Sequence, residues 1–315
     1  MLILLHISIQ HNHLKREIKI WIFIMGFILV GALLFAILSN QRTTNGPISI
    51  SKTILPAIPT SFPIITASPT PAIAVLPIKI FPPVVHYAPP TIPTKSSYTI
   101  IFVGDSMTES LGQNFDNLRT DLKKYYPNKM FGLFNYGFGS TNILSVEDRL
   151  NHDTNYQGAN YPAILGRYFD VIIIESFGNN PLSQFALDVG LAKQTTALEY
   201  MIAELANTHP NSLIVFIATV APSQALYGKG AVDLSTLVRI QWANERRAYI
   251  ENHINFAKSH NIPLINVYAK TMDKNGLAII KYLDPNNYIH PSATGVSFIS
   301  QMIADFLYQN HILMN

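Results

Sequence analysis

Cysteine is missing from all 315 residues of this chain. Its absence excludes disulfides, thiolate catalysis and Cys-ligated zinc, and leaves the compartment open. Charge is scarce as well: 13% of residues are ionic and the net charge is +3, too slight a bias for nucleic acid, which calls for a clustered basic face. The glycines form neither a dinucleotide fingerprint nor a G-x-x-x-x-G-K loop for phosphates. The G-x-S-x-G elbow is also absent, because position 108 is Thr where that motif needs Gly. Three histidines, His6, His11 and His13, sit close together near the start, but on a short end segment they assign no metal.

What is present begins with an apolar run. Residues 20–38, IWIFIMGFILVGALLFAIL, carry no charge over nineteen positions, enough to cross a hydrocarbon core of ~30 Å as a helix. Lys15, Arg16 and Lys19 precede it and Arg42 follows. That bias predicts a single-pass cell-membrane anchor with residues 1–19 as a cytoplasmic tail and everything later outside the cytoplasm. A cleaved signal peptide fits less well, since the run is long and no small-x-small site follows it. Residues 39–96 then hold twelve of the twenty prolines, mixed with Ser, Thr, Ile and Val. Such a composition removes ladder donors and favours extended polyproline geometry, predicting a semi-rigid stalk.

From residue 97 to 315 the pattern becomes that of one folded domain. Strands are expected at 98–103, 130–135, 171–175, 213–219 and 263–267. Helices are expected after Ser106, at 142–150, 183–207, 234–260 and 293–308. The third strand, VIIIE, shows no polar alternation, as when both faces of a sheet are covered. Alternating strand and helix predicts an α/β fold of three layers, α/β/α and flavodoxin-like, around a five-stranded parallel sheet.

The stretch SYTIIFVGDSMTES (residues 97–110) organises the chemistry. A buried strand runs straight into Gly-Asp-Ser and then a helix. That geometry sets a hydroxyl at the carboxyl edge of the sheet beside N–H groups that a helix start leaves unpaired. Ser106 is the candidate nucleophile, although Asp105 or Ser106 as a plain helix cap would use the same residues. Open parallel sheets bind ligands at the carboxyl ends of their strands, and polar segments recur there. NYGFGSTN follows the second strand, Gly178-Asn179-Asn180-Pro181 follows the third, and Asp284-Pro285-Asn286-Asn287-Tyr288-Ile289-His290-Pro291 precedes the last helix.

Taken together, in this order, these four segments resemble the SGNH, or GDSL-type, hydrolase family over residues 98–310. The resemblance implies a cofactor-free serine esterase with Ser106 as nucleophile and His290 as general base. It also implies an oxyanion hole made by the N–H groups of Ser106 and Gly139 and the amide of Asn180. Ser140 N–H is the alternative to Gly139, because the second block is compact. Two departures stand out. The position three before the histidine is Asn287 rather than Asp, so the residue orienting His290 is Asp284, Asn287 or neither, with Asp284 preferred for its charge. Pro181 replaces a common Asp.

The expected substrate is a small ester or O-acylated glycan, in particular O-acetyl groups outside the cell. Tyr156, Tyr161, Tyr227 and Trp242 offer stacking surfaces for sugar or ordinary packing. The rival expectations are a catalytically weakened glycan-binding module and a lipase-like or thioesterase-like acyl hydrolase.

Overall fold

The structure, a computed structural model, describes residues 87–313. Its strands are β1 (Ser97–Gly104), β2 (Met130–Gly137), β3 (Thr154–Tyr156), β4 (Ala159–Tyr161), β5 (Val171–Glu175), β6 (Leu213–Ala218) and β7 (Leu264–Asn266). Its helices are α1 (Ser106–Glu109), α2 (Asp116–Tyr125), α3 (Val146–Asn151), α4 (Leu187–Thr208), α5 (Thr236–Ser259), α6 (Val267–Lys270) and α7 (Ala293–Gln309). Five strands form one sheet in the order β2-β1-β5-β6-β7, and every neighbouring pair is parallel. Counted within the sheet alone this is 2-1-3-4-5, the doubly wound order whose switch point lies beside the first strand.

The period of two in the strands separates the two faces. Ile100, Phe102, Ile173 and Val215 pack with Leu118 and Leu122 of α2 and with Ile299, Ile303 and Leu307 of α7. Ile101, Val103, Ile172, Ile174 and Phe216 face the other way, onto Leu198, Met201 and Ile202 of α4 and Phe256 and Ala257 of α5. Each such side chain removed from water contributes about 1.5–3 kcal/mol, so both helical layers are held by the sheet. That is why β5 has no polar position before Glu175.

The structure departs from the sequence expectations in four places. The helix after Ser106 is two pieces, because Gly112 (φ 83°) and Phe115 (φ 53°) take left-handed backbone between α1 and α2. The side chain of Asn135 holds the break open by donating to the carbonyls of Thr108 and Gly112. Helix α4 starts at Leu187 rather than 183, because residues 183–184 form a turn first. A β3–β4 hairpin, absent from the sequence reading, turns at Gln157 and Gly158, both at positive φ. The chain also packs on the domain before residue 97: Tyr87 and Ile92 are buried, and Tyr87 Oη accepts the N–H of Ile214 at 2.8 Å.

Residues 1–19, the apolar run 20–38 and the proline-rich stretch up to residue 86 lie outside the described residues. Among the described residues no helix is long and apolar enough to cross a membrane.

Candidate active site

Ser106 is the first residue of α1 and follows Asp105, which takes extended backbone and caps the helix by accepting Met107 N–H at 2.8 Å. The capping role of Asp105 and the display of Ser106 are thus one device rather than rivals. Gly104 is required just before them: a Cβ there would lie 2.0 Å from Thr108 Oγ1 and 2.8 Å from Glu175 Cβ. Opposite stands His290, whose Nε2 is 3.0 Å from Ser106 Oγ although 184 residues separate the two. If Nε2 accepts the hydroxyl proton, the neutral ring carries its own proton on Nδ1.

Below the serine lie three buried charged side chains. Asp105, Glu175 and Arg149 are each at most 3% exposed. Burial pushes the Glu175 carboxyl well above its ordinary value, reinforced by the charge of Asp105. Burial raises Asp105 as well, opposed by hydrogen bonds from Met107 N–H and the Asn180 amide and by the nearby imidazole of His290. Of the two, Glu175 is raised the more, because the charge of Asp105 adds to its burial. Desolvation lowers the Arg149 guanidinium to about 10. Its Nη1 donates to the carbonyls of Gly104 and Tyr136 at 2.8 Å each, and its Nη2 donates to Thr141 and Ser145. Phe138 and Phe177 flank it at 4.6 and 5.4 Å from their ring centroids. Arg149 thereby ties together the carboxyl ends of β1 and β2, from which Ser106 and the second loop emerge.

Three segments supply hydrogen-bond donors near Ser106. Its own N–H, at a helix start, has no acceptor among the described residues. The Asn180 amide spends one proton on Asp105 Oδ2 at 2.9 Å and retains a second. Gly139 behaves otherwise than expected for an oxyanion donor. Its N–H points to Tyr156 Oη at 2.8 Å, and that hydroxyl donates onward to Glu109 Oε1 at 3.0 Å. The next residue, Ser140, is exposed and adopts φ 60°, and its N–H has no acceptor among the described residues. A non-glycine residue in left-handed backbone signals local constraint. The free donor of this loop is Ser140 N–H.

The histidine loop is held by its own polar groups. Asn287 Oδ1 accepts the N–H groups of Ile289 at 2.8 Å and His290 at 2.9 Å. Asp284 donates its backbone N–H to His290 C=O at 2.8 Å. The Asp284 carboxylate accepts from Asn286 N–H at 3.0 Å and from the amides of Asn286 at 2.9 Å and Asn287 at 3.1 Å. Neither Asp284 nor Asn287 reaches the imidazole Nδ1, so the preference for Asp284 as a direct partner of the ring has no contact behind it.

Sequence reading missed Arg149, Glu175 and Glu109, and offered Tyr156 only as a stacking surface or ordinary packing. For Glu175 the available signal was VIIIE, whose carboxyl closes an apolar run. Of the aromatic candidates, Tyr227 is buried under Arg246 and donates to Asn179, and Trp242 also lies against Arg246. Tyr156 stacks on Phe138 at 4.4 Å and Tyr161 meets Phe138 edge-on, so both serve to support the second loop. A separate, mainly apolar cavity of about 420 Å³ opens between the segment of Ile143, Leu144 and Glu147 and the α4 residues Val189, Lys193 and Met201.

The sequence model of the GDSL-like Lipase/Acylhydrolase family matches residues 102–297. No curated protein matches the chain. Among solved structures, a gut microbial diltiazem-metabolizing enzyme superposes with a TM-score of 0.52 at 15% identity, covering 69% of this chain and 48% of its own. A lipase/acylhydrolase from Enterococcus faecalis gives 0.47 at 17% identity over 68% of this chain and 96% of its own. An acetylxylan esterase from Geobacillus stearothermophilus gives 0.46 at 15% identity over 69% and 96%.

Proposed function

Because the chain belongs to the GDSL-like lipase/acylhydrolase family, a family of ester-hydrolysing enzymes, we propose that Ser106 and His290 are its catalytic pair. The observation that carries this reading is the 3.0 Å approach of His290 Nε2 to Ser106 Oγ. Ser106 Oγ attacks the ester carbonyl while its proton passes to Nε2. The negative oxygen of the tetrahedral intermediate is held by the N–H groups of Ser106 and Ser140 and the remaining amide proton of Asn180, each such donor contributing about 3 kcal/mol. Collapse breaks the C–O bond to the alcohol, which takes the proton from His290. Water then attacks the acyl-serine with His290 again as base, releasing the acid and restoring the hydroxyl.

The substrate we propose is an O-acetyl group on a glycan outside the cytoplasm, hydrolysed by a domain anchored through residues 20–38 with the N-terminus cytoplasmic. The support is the apolar run and its flanking charges. A longer acyl chain is the second reading, favoured by the 420 Å³ cavity: Ile143 on its wall follows Ser140 by three residues, no more than ~11 Å along the chain.

A fluorophosphonate probe applied to the full-length protein is expected to form an adduct on Ser106 that Ser106→Ala abolishes together with hydrolysis of p-nitrophenyl acetate. An unlabelled but folded wild type would refute the pair. Acetyl against octanoyl p-nitrophenyl esters separates the two substrates: higher kcat/KM for octanoate would overturn the acetyl assignment. Fusing a reporter after residue 40 tests the orientation, and cytoplasmic reporter activity would reverse it.

A further inference from the structure

We propose that Asp284 and Asn287 act as one positioning unit for His290, the carboxylate fixing the amide of Asn287 and the amide fixing the backbone that carries the imidazole. The proposal deepens the reading of Ser106 and His290 as catalytic. It starts from the two ends of one side chain. Asn287 Oδ1 accepts two backbone N–H groups, from Ile289 and His290, whereas Asn287 Nδ2 donates to Asp284 Oδ2. An amide turned by 180° would set its NH₂ against two N–H donors and its carbonyl against a carboxylate, so both ends select the same orientation. Asp284 is itself fixed, since Asn286 donates to it twice, from N–H and from Nδ2.

The loop closes on the histidine from both sides. The Asp284 N–H donates to His290 C=O, and the Asp284 carbonyl accepts from Asn287 and Tyr288 N–H. Leu283 and Pro291 pair across its neck, and Tyr288 takes φ 50° to complete the turn. Both backbone polar groups of His290 are thus engaged by the two residues of the unit. The imidazole gains its aim at Ser106 Oγ from the main chain, without a carboxylate on its second nitrogen.

The arrangement makes Asn287→Asp a disruptive change although it restores the carboxylate of the D-x-x-H pattern. It would set two carboxylates against each other where a 3.1 Å hydrogen bond now stands, and like charges in contact repel. The reciprocal exchange, Asp284→Asn with Asn287→Asp, keeps one donor facing one acceptor.

The test is the kcat and KM of the full-length protein with p-nitrophenyl acetate for wild type, Asn287→Asp, Asp284→Asn and the exchange. We expect Asn287→Asp to lower kcat by about tenfold or more with KM little changed. We expect Asp284→Asn, which still offers an acceptor, to cost about threefold, and the exchange to recover to within about threefold of wild type. An Asn287→Asp variant as active as wild type, or an exchange no better than Asn287→Asp, overturns the unit. Thermal midpoints of the four proteins follow the same order if the pairing exists. That readout stands even where fluorophosphonate fails to label wild-type Ser106, the result that would refute the hydrolase reading instead.

Discussion

Ser106 rises from ground from which water is almost excluded, whereas His290 is carried by a half-exposed loop of asparagines. Beneath the serine, Asp105, Glu175 and Arg149 are buried and the pKa of each is displaced from its ordinary value. In the histidine loop the same task of positioning falls to short side chains hydrogen-bonded to neighbouring main chain. The difference is one of penalty for error. A buried charge that loses its partner costs several kcal/mol, because nothing replaces it. A loop hydrogen bond near solvent contributes about 1 kcal/mol, because water offers a substitute. The serine side is therefore built for stability, and the histidine side for aim.

Breaking the buried side gives the largest effect. Arg149→Leu removes the donor to the carbonyls of Gly104 and Tyr136 and the guanidinium charge near Asp105. A loss of about 4 kcal/mol is expected in urea unfolding; a loss below about 1 kcal/mol would show that water readily replaces the guanidinium.

A gentler test uses pH. The Glu175 carboxyl is raised above its ordinary value of 4.5 in the folded chain. The folded state therefore holds a proton that the unfolded state releases first, and stability falls as pH rises from 4.5 toward the folded-state value. Glu175→Gln removes that dependence. Its thermal midpoint should gain on wild type as pH rises above 4.5, with the remaining slope coming from Asp105, also raised. Parallel curves for the two proteins would place the shared proton elsewhere.

The smallest effect belongs to the loop support. Tyr156→Phe frees Gly139 N–H and cuts the link to Glu109, with about 1 kcal/mol expected in kcat and little in KM. A larger rise in KM would make Tyr156 a substrate contact.

The strands were legible because each is a short apolar run whose two faces are both covered, and VIIIE is the plainest case. The serine and histidine segments were legible because they combine a strand end, a turn and a helix start. The supporting shell was not. Arg149 lies on a short amphipathic helix with Glu147 and Asp148 beside it, and only the fold shows that it turns inward to the end of β1. The hairpin was hidden because Thr154–Tyr161 pairs over three residues per strand, too short for a period to register. The N–H left free in the second loop is Ser140's rather than Gly139's because a tyrosine seventeen positions later claims the glycine's N–H, a long-range contact that no local pattern announces.

The place where the chain joins the domain has its own consequence. Tyr87 grips Ile214 at the amino end of β6 and is itself gripped by Asn261, while Lys95 pairs with Asp170 at the foot of β5. Ser106 and His290 open on the opposite rim. The first described residues thus enter the domain at the amino ends of its strands, and a pull on Tyr87 would load β6 and β5 at the end away from the Ser106–His290 pair.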